Sequence, residues 1–232
     1  MMRVAALLML TVGLTGTAFA QEEAASEEPV MQEYNVFAVP SREIEDLVSA
    51  TAEAMADYGL ETFYAQGFLP HVTLYLTAFP EDKLPEIKAR IEAKARTMTR
   101  FPLQVDGTHL TKGRWYFLDL VRSEDLQRLS DEIVMELSPL RERAYEAPEW
   151  VQNYPEKLAA FERYGSPNVF TQFGPHLTQL AGEESTELDR YIEETADQPV
   201  KAEGEVIGIG FAPVDALGQV MGGTEEIYLF AN

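Results

Sequence analysis

The sequence predicts an α+β fold built from two similar halves, and three observations support this. Segments rich in β-branched and aromatic residues alternate with segments of helical periodicity along the 232-residue chain. Each half follows the order strand, helix, strand, helix, strand. Hydrophobic residues make up 46% of the chain, which is enough to bury a core. The length suits one large domain or two small lobes.

The elements of the first half follow from composition and periodicity. Its strands are short β-rich runs, and the first of them ends at Pro40, which cannot donate to a strand ladder. Its helices carry apolar residues at helical spacing, and Ser41 is a candidate N-cap for the first of them. In chain order the predicted elements are a strand at 34–39, a helix from 41 to about 58, a strand at 67–77, a helix at 84–96 and a strand at 101–110.

The second half is predicted in the same way. A turn at 111–114 joins its first strand to the preceding one as a hairpin. Ser123 and Ser185 are candidate N-caps for its two helices. The predicted order is a strand at 115–121, a helix from 123 to about 137, a strand at 170–180, a helix from 185 and a strand at 200–211, followed by a last strand at 226–230.

Residues 139–169 interrupt this alternation. Four prolines and several aromatic and arginine side chains lie in this stretch, with one short helix predicted at 156–163. A connection of this length is usually functional or an insertion. Two interpretations stay open: a lid that closes over an anionic substrate, or a loop that wraps the surface.

The first twenty residues predict a signal peptide. A short basic start precedes an apolar run at 4–14 that is too short to span a bilayer. Residues 18–20, Ala-Phe-Ala, are typical of a cleavage site. We therefore expect cleavage after Ala20 and a periplasmic or secreted protein, with a retained membrane anchor as the alternative. Residues 21–33 predict a flexible acidic lead-in, and residues 34–231 predict a single bilobal domain.

Composition and charge exclude several function classes. The formal net charge of −21 argues against a binder of long nucleic acid, which needs basic residues to neutralise phosphates, and against an anionic membrane as partner. The lack of cysteine excludes disulfides, thiolate nucleophiles and Cys-ligated metals. Residues 83–114 contain eight basic residues and three acidic ones. This window predicts either a solvated helix face or a positive rim beside a groove.

Two of the three histidines occur in matching motifs. Each motif reads Pro-His-x-Thr, at 70–73 and at 175–178, and lies on the predicted central strand of its half. Because residues i and i+2 of a strand point to the same face, the histidine and threonine of each motif project together. A single His-x-Thr arises often by chance, so the pair carries the argument. The four side chains are His71, Thr73, His176 and Thr178.

Such pairs suit phosphoryl chemistry. An imidazole is partly protonated near neutral pH, so one histidine can remove a proton while the other donates one. A threonine hydroxyl beside each can donate a hydrogen bond to a phosphate oxygen as negative charge develops. No carboxylate cluster accompanies the motifs, so we expect no metal and no cofactor. A zinc site of all three histidines has no supporting spacing, and His109, beside the hairpin turn, is predicted to be a surface or packing residue.

These motifs resemble those of the two-histidine (2H) phosphoesterase superfamily, which contains 2′-5′ RNA ligase-like proteins and cyclic nucleotide phosphodiesterases. The resemblance rests on the two His-x-Thr pairs, their strand context and the repeated layout, and it covers about 34–231. It implies a bilobal α+β fold with a pseudo-twofold axis. In such a fold two antiparallel-rich sheets surround a central groove into which both motifs face.

The resemblance also implies roles for the motif residues. His71 and His176 would share general acid and base duties, the first motif often being assigned the acid, while Thr73 and Thr178 would hold phosphate oxygens. Members of the superfamily hydrolyse 2′,3′-cyclic or similar phosphates, or form and open 2′-5′ linkages. The expected function is therefore that of an exported, metal-independent phosphoesterase. The alternative is a non-catalytic module on the same fold that binds a phosphorylated ligand or a protein partner.

Two aromatic residues are further candidates for substrate binding. Tyr75 is expected on the face of His71 and Thr73, where it contacts a base or phosphate unless it packs in the core. Trp115 follows the hairpin turn and is a candidate stacking platform for a nucleobase, with core packing as the alternative. The expected partner is a small phosphate ester or a short oligonucleotide. No long nucleic acid and, after cleavage of the signal peptide, no membrane is expected as a partner.

Overall fold

A computed structural model describes residues 31–231 of the chain. The predicted signal peptide and most of the predicted acidic lead-in lie outside these described residues. The strands are β1 (Glu33–Pro40), β2 (Val72–Ala78), β3 (Phe101–Leu110), β4 (Tyr116–Leu120), β5 (His176–Leu180), β6 (Lys201–Pro213) and β7 (Glu226–Leu229). The α-helices are α1 (Arg42–Ala56), α2 (Leu84–Arg96), α3 (Glu124–Leu137), α4 (Pro155–Tyr164) and α5 (Thr186–Thr195).

Two of the three predicted serine caps are confirmed. The Ser123 hydroxyl accepts a hydrogen bond from the backbone N–H of Leu126 at the start of α3. Ser185 does the same for α5, and each such cap satisfies a backbone donor that the helix leaves unpaired. Ser41 precedes α1 but does not cap it, because its hydroxyl donates to the Glu43 carboxylate and accepts from the backbone N–H of Glu205.

The strands form one continuous sheet in the order β2-β1-β6-β3-β4-β5, with β7 also paired to β6, and every pair of named strands is antiparallel. The expectation of two separate sheets is corrected by the length of β6. Its first residues pair with β3 and its last residues pair with β1 and β7. Each half of the molecule is therefore a four-stranded layer, and the two layers share one long strand.

The two motif strands are edge strands, and not central strands as predicted. Sequence order places β2 and β5 in the middle of their halves, but hydrogen bonding places them at opposite ends of the sheet. The sheet curves enough that Cα atoms of β2 and β5 come within 8 Å of one another. The two edges that carry the motifs therefore face each other.

The predicted strand at 170–180 is only half correct. Residues Phe170–Gln172 form a 3-10 turn, and β5 begins at His176. Phe170 has a φ of 53°, in the left-handed region, which no residue of a regular strand adopts. The β-rich composition of this stretch reflects burial, since the side chain of Phe173 is packed in the core.

Helices cover one face of the sheet and form the main core with it. The apolar stripes of α2 and α3 are buried against the strands, and the Ser130 hydroxyl of α3 donates to the backbone oxygen of Leu74 in β2. Val72 and Leu177, the middle residues of the two motifs, point into this core and are almost fully buried. Burying side chains of this size contributes about 1.5–3 kcal/mol each. The opposite face of the two edge strands is therefore left for the histidines and threonines.

The predicted α+β fold is confirmed by these elements. Among residues 31–231, no helix is both long enough and apolar enough to cross a membrane.

Candidate active site

The first motif is positioned by a bend just before β2. Pro70 fixes its own φ and turns the chain, which brings the backbone oxygen of Leu69 to 2.8 Å from Nδ1 of His71. The His71 side chain is buried, at 7% exposure. Thr73, two residues further, is half-buried on the same face of the strand.

The second motif repeats this geometry. Pro175 turns the chain before β5, and Nδ1 of His176 lies 2.8 Å from the backbone oxygen of Gly174. His176 and Thr178 are both half-buried, while the intervening Leu177 is buried in the core. The shared Pro-His-x-Thr sequence therefore produces the same imidazole–carbonyl contact on both edge strands.

These contacts fix the tautomer of each imidazole. A backbone carbonyl oxygen can only accept a hydrogen bond, so the proton of the neutral ring lies on Nδ1 in both His71 and His176. Nε2 is then the free nitrogen. It can accept a proton when the ring is neutral, and it can donate one when the ring is charged.

Phenylalanine rings support both histidines from the neighbouring strands. Phe37 of β1 pairs with Thr73 in register and packs 5.4 Å from the His71 ring, centroid to centroid. Phe117 of β4 pairs with Thr178 and stacks on the His176 ring at 3.9 Å. The two halves therefore hold their histidines by the same arrangement of strand, partner strand and aromatic ring.

Burial dominates the electrostatics of both histidines. The pKa of His71 is lowered from 6.5 to about 4, mainly by burial, with the hydrogen bond to the Leu69 backbone opposing the shift. The charge of His176 has a smaller lowering effect and Asp215 a smaller raising one. Burial also lowers the pKa of His176, with the hydrogen bond to the Gly174 backbone opposing the shift and smaller contributions from His109, which lowers it, and Asp119, which raises it. The effect of His176 on His71 places the two imidazoles within Coulombic reach of each other. Both rings are therefore predominantly neutral near pH 7.

A buried asparagine orients the first threonine. Nδ2 of Asn35 donates to the Thr73 hydroxyl oxygen at 2.8 Å, and Asn35 is fully buried. Because the hydroxyl oxygen already accepts this bond, its own proton is free to point elsewhere. Thr73 is thus held as a donor on the face that carries His71.

The two aromatic candidates have different positions. Tyr75 is fully buried, packs on Phe79 and donates its hydroxyl to the backbone oxygen of Tyr164, so the expectation that it contacts substrate is corrected. Burial raises its pKa well above the usual range. Trp115 is half-buried, with its ring 6.1 Å from that of Phe117. It therefore lies next to the aromatic support of His176 and remains a candidate contact.

His109 is a surface residue that packs on a neighbouring ring, as predicted, and the structure adds which residues it contacts. In register it lies opposite Phe117 and contacts that ring edge-on at 5.1 Å, while its Nδ1 contacts the Asp119 carboxylate. Asp119 is the cross-strand partner of His176. His109 is thus an exposed residue on the surface around the second motif. Only the pairing of β4 with β5, which joins residues far apart in sequence, places His109 near His176.

The segment at 139–169 is packed against β2. The Thr77 hydroxyl donates to the backbone oxygen of Gly165 at 2.8 Å, next to the bond from Tyr75. Its predicted short helix is confirmed as α4.

In the part of the chain that the structure describes, no group of three or more metal-ligating side chains is arranged to hold a metal ion.

Comparisons with known proteins agree with this fold. A protein of Thermus thermophilus has 18% sequence identity and a TM-score of 0.50, and the match covers 84% of this chain and 94% of that one. E. coli LigT, solved with NADP+, has 12% identity and a TM-score of 0.46 over 87% and 96% of the two chains. Kluyveromyces marxianus Usb1 has 11% identity and a TM-score of 0.42 over 86% and 99%. No curated protein sequence matches the chain.

The sequence profile of one family matches most of the chain. It is described as the 2′-5′ RNA ligase superfamily and aligns with residues 40–212, a range that contains both His-x-Thr motifs. The resemblance to the 2H phosphoesterases that the motifs indicated is confirmed by this match, and the chain belongs to the 2′-5′ RNA ligase superfamily.

Proposed function

We propose that the protein is an exported, metal-independent phosphoesterase that hydrolyses a 2′,3′-cyclic or related phosphodiester by paired histidine catalysis. The observation that carries the proposal is the repeated imidazole geometry. Two edge strands that face each other each present a histidine with Nδ1 held by a backbone carbonyl, and each has a threonine hydroxyl on the same face. Two such groups suit a base and an acid on opposite sides of one phosphate.

The proposed reaction needs one proton acceptor and one proton donor. A base takes a proton from water as the water oxygen attacks phosphorus. The bond from phosphorus to one ribose oxygen breaks, and an acid protonates that oxygen, which leaves a phosphate monoester. Thr73 and Thr178 would donate hydrogen bonds to the non-bridging oxygens, whose negative charge rises in the transition state.

The surroundings of the histidines support His71 as the base. Burial holds its pKa at about 4, so its Nε2 is unprotonated over the whole neutral range. His176 is more exposed than His71. Burial still lowers the pKa of His176, while the hydrogen bond to the Gly174 backbone and, less strongly, the Asp119 carboxylate favour its charged form against the effect of His109. A bound phosphate would add negative charge beside both rings and raise both pKa values. Because His176 is the less buried of the two, we assign it as the acid, which reverses the assignment implied by the resemblance.

Hydrolysis of 2′,3′-cyclic nucleotides in excess chelator tests the proposal. Wild-type protein should convert the substrate to a monoester with the chelator present, and His71→Ala and His176→Ala should each lose at least about 100-fold in rate. Thr186→Val, an exposed substitution at the start of α5, is the matched control and should retain activity. Turnover that is unchanged in both histidine variants would contradict the proposal. Ligand binding without any turnover would favour the non-catalytic binding module.

We also propose export, on the basis of the sequence of residues 1–20. Expression of the full chain in a Gram-negative host, followed by fractionation and mass measurement, should give a periplasmic product that starts at Gln21. An uncleaved product that remains in the cytoplasm would contradict this part of the proposal.

A further inference from the structure

Lys157 of α4 is a half-buried lysine with an unusual environment. Its ammonium group donates to the Asn168 side-chain oxygen and lies 5.9 Å from the centre of the Trp150 ring. Burial lowers its pKa. Within residues 31–231 it makes no ion pair, although four of the other five lysines do so. In a chain with a net charge of −21, an unpaired half-buried cation is available to an anionic ligand.

This cation lies beside the second motif. Asn168, which holds the ammonium group, is in the stretch that leads into β5, and α4 packs against the Phe170–Gln172 turn of the same stretch. The charge of Lys157 also contributes to lowering the pKa of His176, so the two groups are within Coulombic reach. Lys157 is therefore held on the segment that leads into the second motif, within Coulombic reach of His176.

Two exposed aromatic rings flank the lysine. The side chains of Trp150 and Tyr154 are each 46% exposed, and their rings lie edge to face at 6.2 Å. They belong to the 3-10 turn at Glu149–Asn153 and to the residue that precedes α4. Large aromatic rings that remain exposed in pairs beside a cation are suited to stacking on a flat, negatively charged ligand.

We infer that Trp150, Tyr154 and Lys157 form a nucleotide subsite, in which Lys157 binds a phosphate and Trp150 stacks on the attached nucleobase. The inference rests on the proposed function and narrows the substrate to a nucleotide or short oligonucleotide. The exposed rings offer the π-face that a base requires, while a phosphate or a sugar phosphate alone would use only the lysine. The subsite also gives the segment at 139–169 a role at the edge of the groove.

Equilibrium binding to two probes tests the inference without turnover. The probes are adenosine 3′-monophosphate and inorganic phosphate, titrated into the mature protein by calorimetry. Trp150→Ala should weaken binding of the nucleotide by about 5- to 100-fold, while binding of phosphate stays the same. Lys157→Gln should weaken binding of both probes by about 10-fold or more, because a charged hydrogen bond is lost.

Matched variants control for unrelated effects. Met135→Ala removes an exposed apolar side chain on α3, and Lys83→Gln removes an exposed lysine. Both should bind the probes as wild type does. Thermal melts of all four variants should coincide with wild type, since none of the substituted side chains lies in the core.

The results separate this inference from the proposed function. If Trp150→Ala and Lys157→Gln bind adenosine 3′-monophosphate as tightly as wild type, the subsite is refuted, even when cyclic phosphates are hydrolysed and both histidines are needed. If the two variants show the expected losses while the histidine variants retain full turnover, the subsite stands and the proposed catalysis fails.

Discussion

His71 and His176 have the same local geometry but different degrees of burial, and in the proposed mechanism this difference decides which is the base and which is the acid. His71 is enclosed beneath the Phe37 ring, and its neutral form is strongly favoured. His176 is stacked on Phe117 at the surface, near the charges of Asp119 and His109. An enzyme that needs one acid and one base can obtain both from identical residues by giving them different surroundings.

The buried state of His71 predicts a pH-dependent stability. Between pH 6.5 and about 4, the unfolded chain binds a proton at this residue and the folded chain does not. The free energy of unfolding therefore falls as the pH falls through this range, by about 3 kcal/mol in full. Urea denaturation at pH 7 and pH 4.5 should show this loss in wild type, and a smaller loss in His71→Asn.

The control for this prediction is Met135→Ala, which changes an exposed, uncharged side chain. It should keep the pH dependence of wild type. If His71→Asn and wild type lose the same stability between the two pH values, His71 is not held neutral by burial.

The threonines should act on the rate and not on folding. Thr178 is half-buried on the face of His176, so Thr178→Val removes one of the hydrogen-bond donors proposed to contact phosphate and changes little of the packing. Loss of one such donor costs about 100- to 1,000-fold in kcat. Steady-state kinetics should show this fall with KM changed much less. A variant with wild-type kcat would remove Thr178 from the proposed mechanism.

At the level of elements, β6 carries the feature that makes the first site possible. Gly210 of β6 pairs with Phe37, and a Cβ atom at this position would lie 2.2 Å from two carbons of the Phe37 ring. The absence of a side chain at Gly210 lets Phe37 pack under His71. In the second half the corresponding neighbour of Phe117 is His109, so the two sites are equivalent in backbone but not in side chains.

Gly210→Ala should therefore disturb the first site through the Phe37 ring that packs on His71. The added methyl group forces the Phe37 ring to move, which costs about 1–3 kcal/mol of stability and displaces His71. Thermal denaturation and turnover should both decrease. Gly113→Ala is the control, because its Cβ atom would meet only ordinary contacts at 3.6 Å or more. Equal stability of the two variants would contradict the packing described for Phe37.

The elements also show which features the sequence could predict. Helix α2 and strand β3 form at their predicted bounds, because apolar periodicity and turn residues are local signals. The edge position of β2 and β5, and the shared strand β6, depend on pairing between distant segments, which local patterns do not encode.

The site was predictable to the same extent. Its four motif residues could be named from a short repeated pattern, and the structure places all four on the edge strands or directly beside them. The position of Tyr75 was predicted wrongly, because alternation along the strand does not show that the backbone at Tyr164 lies against its hydroxyl group. The surface position of His109 was predicted, but its nearness to His176 depends on the pairing of β4 with β5. Nothing in the sequence indicated a role for Lys157, because its surroundings depend on how α4 packs against the stretch that leads into β5.

At the scale of the whole molecule, the distribution of charge limits the classes of ligand that the protein can bind. Seven of the eight basic residues at 83–114 form ion pairs with carboxylates, so this window is a solvated surface and not a free positive rim. Such exposed pairs contribute little stability each. The strongly acidic surface that remains disfavours long nucleic acid. A small phosphate ester needs only the local groups around the two motifs.

The central claim is that the two histidines act as one acid–base unit, and a double-variant comparison tests it most directly. The measurement is kcat/KM for hydrolysis of a 2′,3′-cyclic nucleotide by wild type, His71→Ala, His176→Ala and the double variant. Groups that act in one step are strongly non-additive, so each single variant should lose about as much as the double variant. Independent, multiplicative losses, or full activity in either single variant, would contradict the account.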